Sequence, residues 1–317
     1  MDKKTILVTG GAGFIGSNLI RYLLQEKNKI LCIDNLITGS YDNIKEWFSH
    51  PNFVFMDHDI TENIPPLPDK IDEIYNLACP ASPVDFPRYP TKILKVCSEG
   101  VNRLLDLAME HQAVFLQAST SEVYGDPQVH PQKESYRGYV NTLGPRSCYD
   151  EGKRFAESLI MSYVRKYRLN AKIVRIFNTY GPGMRDNDGR VIPNFINQAL
   201  DDKPITVYGK GEQTRSFSYI DDIIIGLIKM MKSKEIGPFN LGNPRETKID
   251  DLARKVIELT GSHSRIQFCP LPEDDPTKRK PDITLAHTKL GWTPKVNLED
   301  GLKKTIRYFE KLKIKCN

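Results

Sequence analysis

The most constraining stretch of this chain is GlyGlyAlaGlyPheIleGly, which follows the short apolar run Thr5–Thr9 with no spacer. A run of that length suits a strand buried on both faces. The next segment, SNLIRYLLQEK, has apolar residues at helical spacing. Gly10, Gly13 and Gly16 therefore fall at a strand-to-helix turn. Missing side chains there permit a tight turn, close approach of a pyrophosphate, and helix-on-strand packing. The helix N-terminus, with Phe14 and Ile15 beside the glycines, offers backbone N–H groups and a partial positive charge to phosphates. A glycine pattern alone also fits a flexible loop, but the flanking strand, helix and second strand exclude that.

The second strand, Lys29–Ile33, runs into Asp34, eighteen positions beyond Gly16. An acid at that point accepts hydrogen bonds from adenosine ribose hydroxyls and repels a ribose phosphate. Asn35 and Leu36 follow with no arginine beside the acid, which favours NAD over NADP. Strand and helix patterns then keep alternating: PheValPheMet, IleTyrAsnLeuAla at 74–78, a helix near 90–111, Val114–Ala118, and Lys172–Ile176. Repeated βαβ units mean a parallel sheet. The expected fold class is α/β, a Rossmann-type doubly wound parallel sheet with a smaller mixed α/β substrate-binding domain. The expected division is 1–182 for the NAD-binding part and 183–317 for mainly the substrate-binding part, with some segments interleaved. Ligands of such sheets bind at the C-terminal strand edge, so Asp59, Ile60, Leu77 and Ala78 join the expected cofactor set. Asp59 fits a helix N-cap equally well, since ThrGluAsn follows. Asp221 and Asp222 read as caps of the apolar helix after them.

Charge and composition narrow the partners. A formal net charge of +5 from 45 basic and 40 acidic residues is too small to suggest nucleic acid, though it tolerates an anionic substrate. No apolar run is long enough to span a membrane. MDKKTILVTG runs straight into a strand pattern, so the expectation is a cytoplasmic protein without a signal peptide. The six cysteines and six histidines are scattered without paired spacing, so no metal site and no disulfide framework are expected.

Chemistry concentrates at Ser119–Gly125, SerThrSerGluValTyrGly, just after a buried-strand pattern, and at Tyr149 and Lys153. Four residues apart at helical spacing, the phenol and the amine share a helix face. An ammonium near a phenol favours phenolate. Such a tyrosine takes a proton from a sugar hydroxyl as hydride leaves the carbon, with Thr120 sharing the hydrogen bond.

GGAGFIG, STSEVYG, Tyr149-x-x-x-Lys153 and RIFNTYGP at 175–182 together resemble the extended short-chain dehydrogenase/reductase superfamily. More narrowly, NLACPASP (76–83), EVYGDPQVHPQ (122–132), GPRSCYDEGKR (144–154) and DDPTKRKPD (274–282) are similar to the UDP-glucuronate decarboxylases, or UDP-xylose synthases, over nearly the whole chain. The resemblance implies a UDP-sugar substrate, NAD, and oxidation at sugar carbon 4. Resembling dehydratases carry Asp-Glu after the Thr; here Ser121-Glu122 stands, so dehydration is disfavoured. Decarboxylation needs only the ketone at carbon 4, which makes a β-keto acid; release of the 4-keto pentose, 4-epimerisation and, in another class, a non-catalytic NAD-binding regulator stay open as alternatives. The implied catalytic set is Thr120, Ser121, Glu122, Tyr149, Lys153 and Arg279, with Arg279 near the substrate carboxylate. Without the resemblance, LysArgLys around Arg279 reads as a solvated basic loop. The implied substrate set is Pro83, Arg88, Lys92, Asn178, Tyr208, Gln213, Arg215 and Arg279; a guanidinium at 215 suits phosphate oxygens. Phe86 stands where a tyrosine is usual, leaving a hydroxyl contact absent or supplied by Arg88 or Tyr89. Amphipathic stretches at about 97–111 and 150–167 pack either within one chain or, as in the resembling enzymes, as a homodimer's four-helix seam.

Overall fold

The computed structural model describes residues 3–67, 69–270 and 278–316, with side chains to 314; residues 274–277 of the DDPTKRKPD segment lie outside the described residues. The first half runs β1 (Thr5–Thr9), α1 (Phe14–Gln25), β2 (Lys29–Asp34), β3 (Phe53–Asp57), β4 (Glu73–Asn76), α2 (Pro90–Lys95), α3 (Val101–His111), β5 (Val114–Thr120), α4 (Ser147–Tyr167) and β6 (Ala171–Ile176). Then come β7 (Thr179–Tyr180), α5 (Val191–Leu200), β8 (Ile205–Tyr208), β9 (Thr214–Ser216), β10 (Ser218–Tyr219), α6 (Ile220–Lys232) and β11 (Phe239–Leu241). The last elements are β12 (Glu246–Lys248), α7 (Ile249–Thr260), β13 (Ile266–Cys269), β14 (Lys278–Arg279), α8 (Thr284–Leu290) and α9 (Leu298–Cys316).

Seven strands form one sheet in the order β11-β6-β5-β4-β1-β2-β3. Every pairing within it is parallel. Its strands are apolar on both faces, as full burial requires. In β1, Ile6 and Val8 pack into the core shared with α1 and α6, while Leu7 packs into the one shared with α3 and α4. Strand order reverses between β1 and β4, which opens a crevice at the C-terminal edge there. Register brings Thr9 level with Ile33 and Asn76, and Asn76 level with Gln117. A buried polar chain secures that alignment: Thr9 Oγ1 donates to Asn76 Oδ1 at 2.8 Å, and Asn76 Nδ2 donates to Gln117 Oε1 at 2.9 Å. Unsatisfied polar groups there would cost about 1–3 kcal/mol each, so a slipped register is penalised. The residues just past these ends, Gly10, Leu77 and Ala118, thus share one rim.

Beyond β7 the chain builds smaller sheets, β12-β9-β14 and β13-β8, on the far side of the crevice, and returns to add β11 to the main sheet. Asp221 and Asp222 do not cap α6. The helix begins at Ile220 after Tyr219, and both acids lie in its first turn. Asp222 is used elsewhere: its Oδ2 accepts from Val296 N at 2.9 Å, and its carbonyl accepts from Trp292 Nε1 at 2.8 Å. The C-terminal segment therefore docks through Trp292, which is only 1% exposed. Replacing Trp292 by Ala is expected to destabilise the protein by about 3–5 kcal/mol, read as a lower urea midpoint.

Candidate functional site

A cleft of about 410 Å³ lies above the rim, between the main sheet and the small sheets. A second cavity of about 70 Å³ continues from it along the β1–β2 edge. Gly10, Gly13, Phe14, Ile15, Gly16 and Leu77 line the first; Gly10, Gly13, Asp34, Asn35, Asp59, Ile60, Leu77 and Ala78 line the second. All the residues expected around a dinucleotide thus meet in one continuous space. Gly10 has φ +69°, and a Cβ there would lie 2.7 Å from Ala78 N. A Cβ on Gly16 would lie 2.2 Å from Gly10 O. Both positions admit only glycine without opening the turn. Gly13 precedes α1 with no side chain occupying the helix's free N–H groups. Asp34 accepts from Ala12 N at 2.9 Å and Leu36 N at 2.8 Å, which aims its buried carboxylate along the cavity.

Asp59 caps no helix. Its Oδ1 accepts from Thr61 N and Oγ1, and its Oδ2 accepts from Asn35 Nδ2 and pairs with Lys92. Burial opposes its charge, but these bonds outweigh burial and hold it at about 2. Lys92 consequently lines the second cavity and not the main cleft. Arg88 is exposed and lines neither, and Tyr89 lines neither. The structure does not bring those three to the cleft with Pro83, Asn178, Tyr208, Gln213, Arg215 and Arg279, which do line it.

Thr120 ends β5, and its Oγ1 accepts from Glu122 N at 3.2 Å. That bond leaves the hydroxyl hydrogen free to donate, and the Thr120 side chain acts on Tyr149, favouring its ionised form. Tyr149 lies in the first turn of α4 and stacks on Phe86, with ring centroids 4.9 Å apart. The residue that departs from the usual tyrosine therefore serves as a flat apolar support for the phenol. Lys153, one turn on, lies 5.8 Å from the Tyr149 ring centroid and donates to Ala118 O at 2.9 Å. Burial pushes the Tyr149 phenol above its ordinary value; Lys153 and Thr120 pull down without overcoming it. The ammonium does favour phenolate, as the spacing implies, but burial outweighs it.

Ser121 follows Thr120 into a 3-10 turn and is buried in the cleft wall. Glu122, on the same turn, is held between two guanidinium groups: Arg146 Nη2 donates to its Oε2 at 2.7 Å, and Arg279 Nη1 pairs with its Oε1. Burial raises its proton affinity, yet Arg279 and Arg146 together lower its pKa to about 2. Arg279 is no solvated loop residue. It is 3% exposed, sits in β14 beside β9, and donates from Nη2 to Gly125 O at 2.8 Å. Its Nε has no partner among the described residues.

Several wall residues carry no signal in the sequence. Asp85, Arg185, Asp188 and Arg190 line the cleft, paired Arg185–Asp85 at 2.6 Å and Arg190–Asp188. Asp85 ends a single 3-10 turn and the other three come from irregular loops, where charge has no periodicity to read. Arg146 was readable, standing three residues before Tyr149. Across the wall, Arg146, Arg185, Arg190, Arg215, Arg279 and Lys153 outnumber Asp85, Glu122 and Asp188. Such a cleft suits a multiply anionic ligand.

A family model described as GDP-mannose 4,6 dehydratase matches residues 7–305. With this fold and rim it defines the class, an extended short-chain dehydrogenase/reductase. UDP-glucuronic acid decarboxylase 1 of Xenopus tropicalis is 49% identical over 310 residues, covering 98% of this chain and 73% of that protein. UDP-glucuronic acid decarboxylase 6 of Arabidopsis thaliana is 51% identical over 298 residues, covering 94% of this chain and 86% of that protein. The chain belongs to the UDP-glucuronic acid decarboxylase family. A solved UDP-glucuronic acid 4-epimerase from Bacillus cereus, in complex with UDP-glucuronic acid and NAD, superposes with TM-score 0.86 at 29% identity, covering 97% of this chain and 99% of that one.

Asp150, next to Tyr149, is buried, and its Oδ1 has no partner among the described residues. Burial and the nearby Glu122 charge raise its pKa to about 7 against an ordinary 3.8. Native protein therefore holds one more proton than unfolded chain between these values, so this group's contribution to stability falls as pH rises from about 4 to 7. Glu122 acts oppositely, but only below its ordinary 4.5. Asp150→Asn is expected to flatten the decline in urea midpoint between about pH 5 and pH 8.

Proposed function

We propose that this protein converts UDP-glucuronate to UDP-xylose by oxidation at sugar carbon 4, loss of carbon dioxide and re-reduction of the ketone, with NAD as a retained cofactor. The observation that carries this reading is Glu122, ionised between Arg146 and Arg279 and preceded in the chain by Ser121 and not by an Asp, on the turn that follows Thr120. The residues fit NAD: a Cβ would fill the Gly10–Gly16 cradle, and buried Asp34 keeps acceptor capacity toward a ribose. When bound, NAD would accept a hydride from sugar carbon 4 and return it.

Once added positive charge in the filled cleft has drawn off its own proton, Tyr149 takes the carbon-4 hydroxyl proton and holds it near the ketone oxygen. Lys153 stabilises the negative charge passing through the phenol, and Thr120 orients it. The adjacent ketone makes the glucuronate a β-keto acid, so its carboxylate leaves as carbon dioxide, and Tyr149 steadies the enolate oxygen. Glu122 and Ser121 guide ring distortion and the water that protonates carbon 5. Arg279, its plane fixed by Glu122 and Gly125 O, keeps positive charge in the cleft wall toward the sugar carboxylate. Asn178 and Arg215 are assigned to the diphosphate, with Tyr208 and Gln213 at the uridine end and Pro83 at the sugar. Met109 and Phe155 remain exposed on α3 and α4; these exposed apolar side chains support a homodimer built on that helix pair.

Purified protein given UDP-glucuronate and NAD is expected to yield a pentose nucleotide lighter by one carbon dioxide, resolved by mass spectrometry. An isomer of unchanged mass would overturn the assignment. Tyr149→Phe is expected to lower kcat by about 10²–10⁴-fold, and Glu122→Gln to lose decarboxylation well beyond any surface variant.

A further inference from the structure

Two thiols stand at the cavity wall, Cys79 in it and Cys97 behind it, with no part in this chemistry. Cys79 follows β4 and lines both the main cleft and the second cavity. Cys97 is buried in residues 96–100, where the helix widens to π geometry between α2 and α3. Their Sγ atoms are 3.8 Å apart. Cys97 also packs on α4 just before Lys153: a Cβ on Gly152 would lie 3.3 Å from its Cβ and Sγ.

We propose that Cys79 and Cys97 are a modification site, a dithiol that reaches from the cofactor cavity wall to the buried layer behind it and that a peroxide closes to a disulfide. A disulfide needs a sulfur separation of about 2.05 Å, so the atoms must approach by about 1.8 Å. The π-widened segment supplies a place for that movement, since its hydrogen bonding already departs from the regular helix. A small oxidant reaches Cys79 from the cleft, whereas Cys97 is covered. The Cys79 sulfur attacks one peroxide oxygen, the O–O bond breaks, and a sulfenic acid and one water result. Cys97 sulfur then attacks the Cys79 sulfur, expelling hydroxide, which takes the Cys97 proton and leaves as a second water. Two electrons pass from the thiols to the peroxide. The bond shared with Cys79 and the Lys153 ammonium lower the Cys97 thiol against the effect of burial, which makes it a ready second nucleophile. The same bond and burial hold the Cys79 thiol up, so the first step quickens as pH rises.

Closure ties the cavity wall to the segment that supports Lys153. Its effect on turnover rests on the function proposed above; formation of the bond does not. NAD-loaded protein treated with hydrogen peroxide and digested without reductant is expected to show a peptide joining Cys79 to Cys97, two hydrogens lighter than the separate thiols. Cys97→Ser is expected to keep basal turnover and give no such peptide. Turnover of the wild type is expected to fall by on the order of tenfold or more as the linked peptide accumulates, and to recover with dithiothreitol. Free or over-oxidised thiols with no linked peptide would overturn the site. A linked protein with undiminished turnover, or undiminished NAD retention should the protein lack decarboxylase activity, would overturn its consequence.

Discussion

The ion pair between Glu122 and Arg279 joins residues 157 positions apart and closes the site on itself. It lies almost out of water, where the cost of stripping two charges of solvent roughly cancels their attraction. Removing either partner alone costs about 3–5 kcal/mol, because it strands the other. The pair is therefore better understood as an alignment device than as a source of stability. It locks the turn after β5 to β14, and so to β9 and the small sheet that carries Arg215. The two sides of the cleft are registered at the point where the reacting sugar must lie.

Two buried carboxylates close together separate into two states. Glu122 has both guanidinium groups and stays ionised; Asp150 sees the same charges less favourably and binds its proton near neutrality. That division leaves an acceptor in the cleft and a proton just behind it, beside Tyr149. The phenol, buried against Phe86, keeps its own proton until further positive charge or an accepting oxygen arrives. The site is thus poised by desolvation, with the arginines deciding which acid yields.

Much of this was legible in the chain. β1, the glycine turn and α1 could be read from Thr5 to Lys27 because apolar spacing and missing side chains are local signals. Tyr149 and Lys153 were legible for the same reason, being four apart on one helix. Asp221 and Asp222 were misread as caps because a carboxylate at a helix start looks alike in sequence whether it caps or bonds a distant segment, as Asp222 does with Val296. Lys92 was assigned to the sugar, yet a partner 33 residues away, Asp59, draws it to the other cavity. Asp85, Arg185, Asp188 and Arg190 stayed hidden, since loop pairings arise from tertiary closure alone.

The last strand of the main sheet, β11, is made only after residue 238. Until it arrives, β6 is an edge whose N–H and C=O groups are open to any passing strand. A ribosome adding about 5–20 residues per second leaves that edge unpaired for seconds while the intervening segments emerge. The chain must guard an unfinished sheet during its own synthesis. A stalled product ending soon after β6 would leave that edge open for as long as it persists.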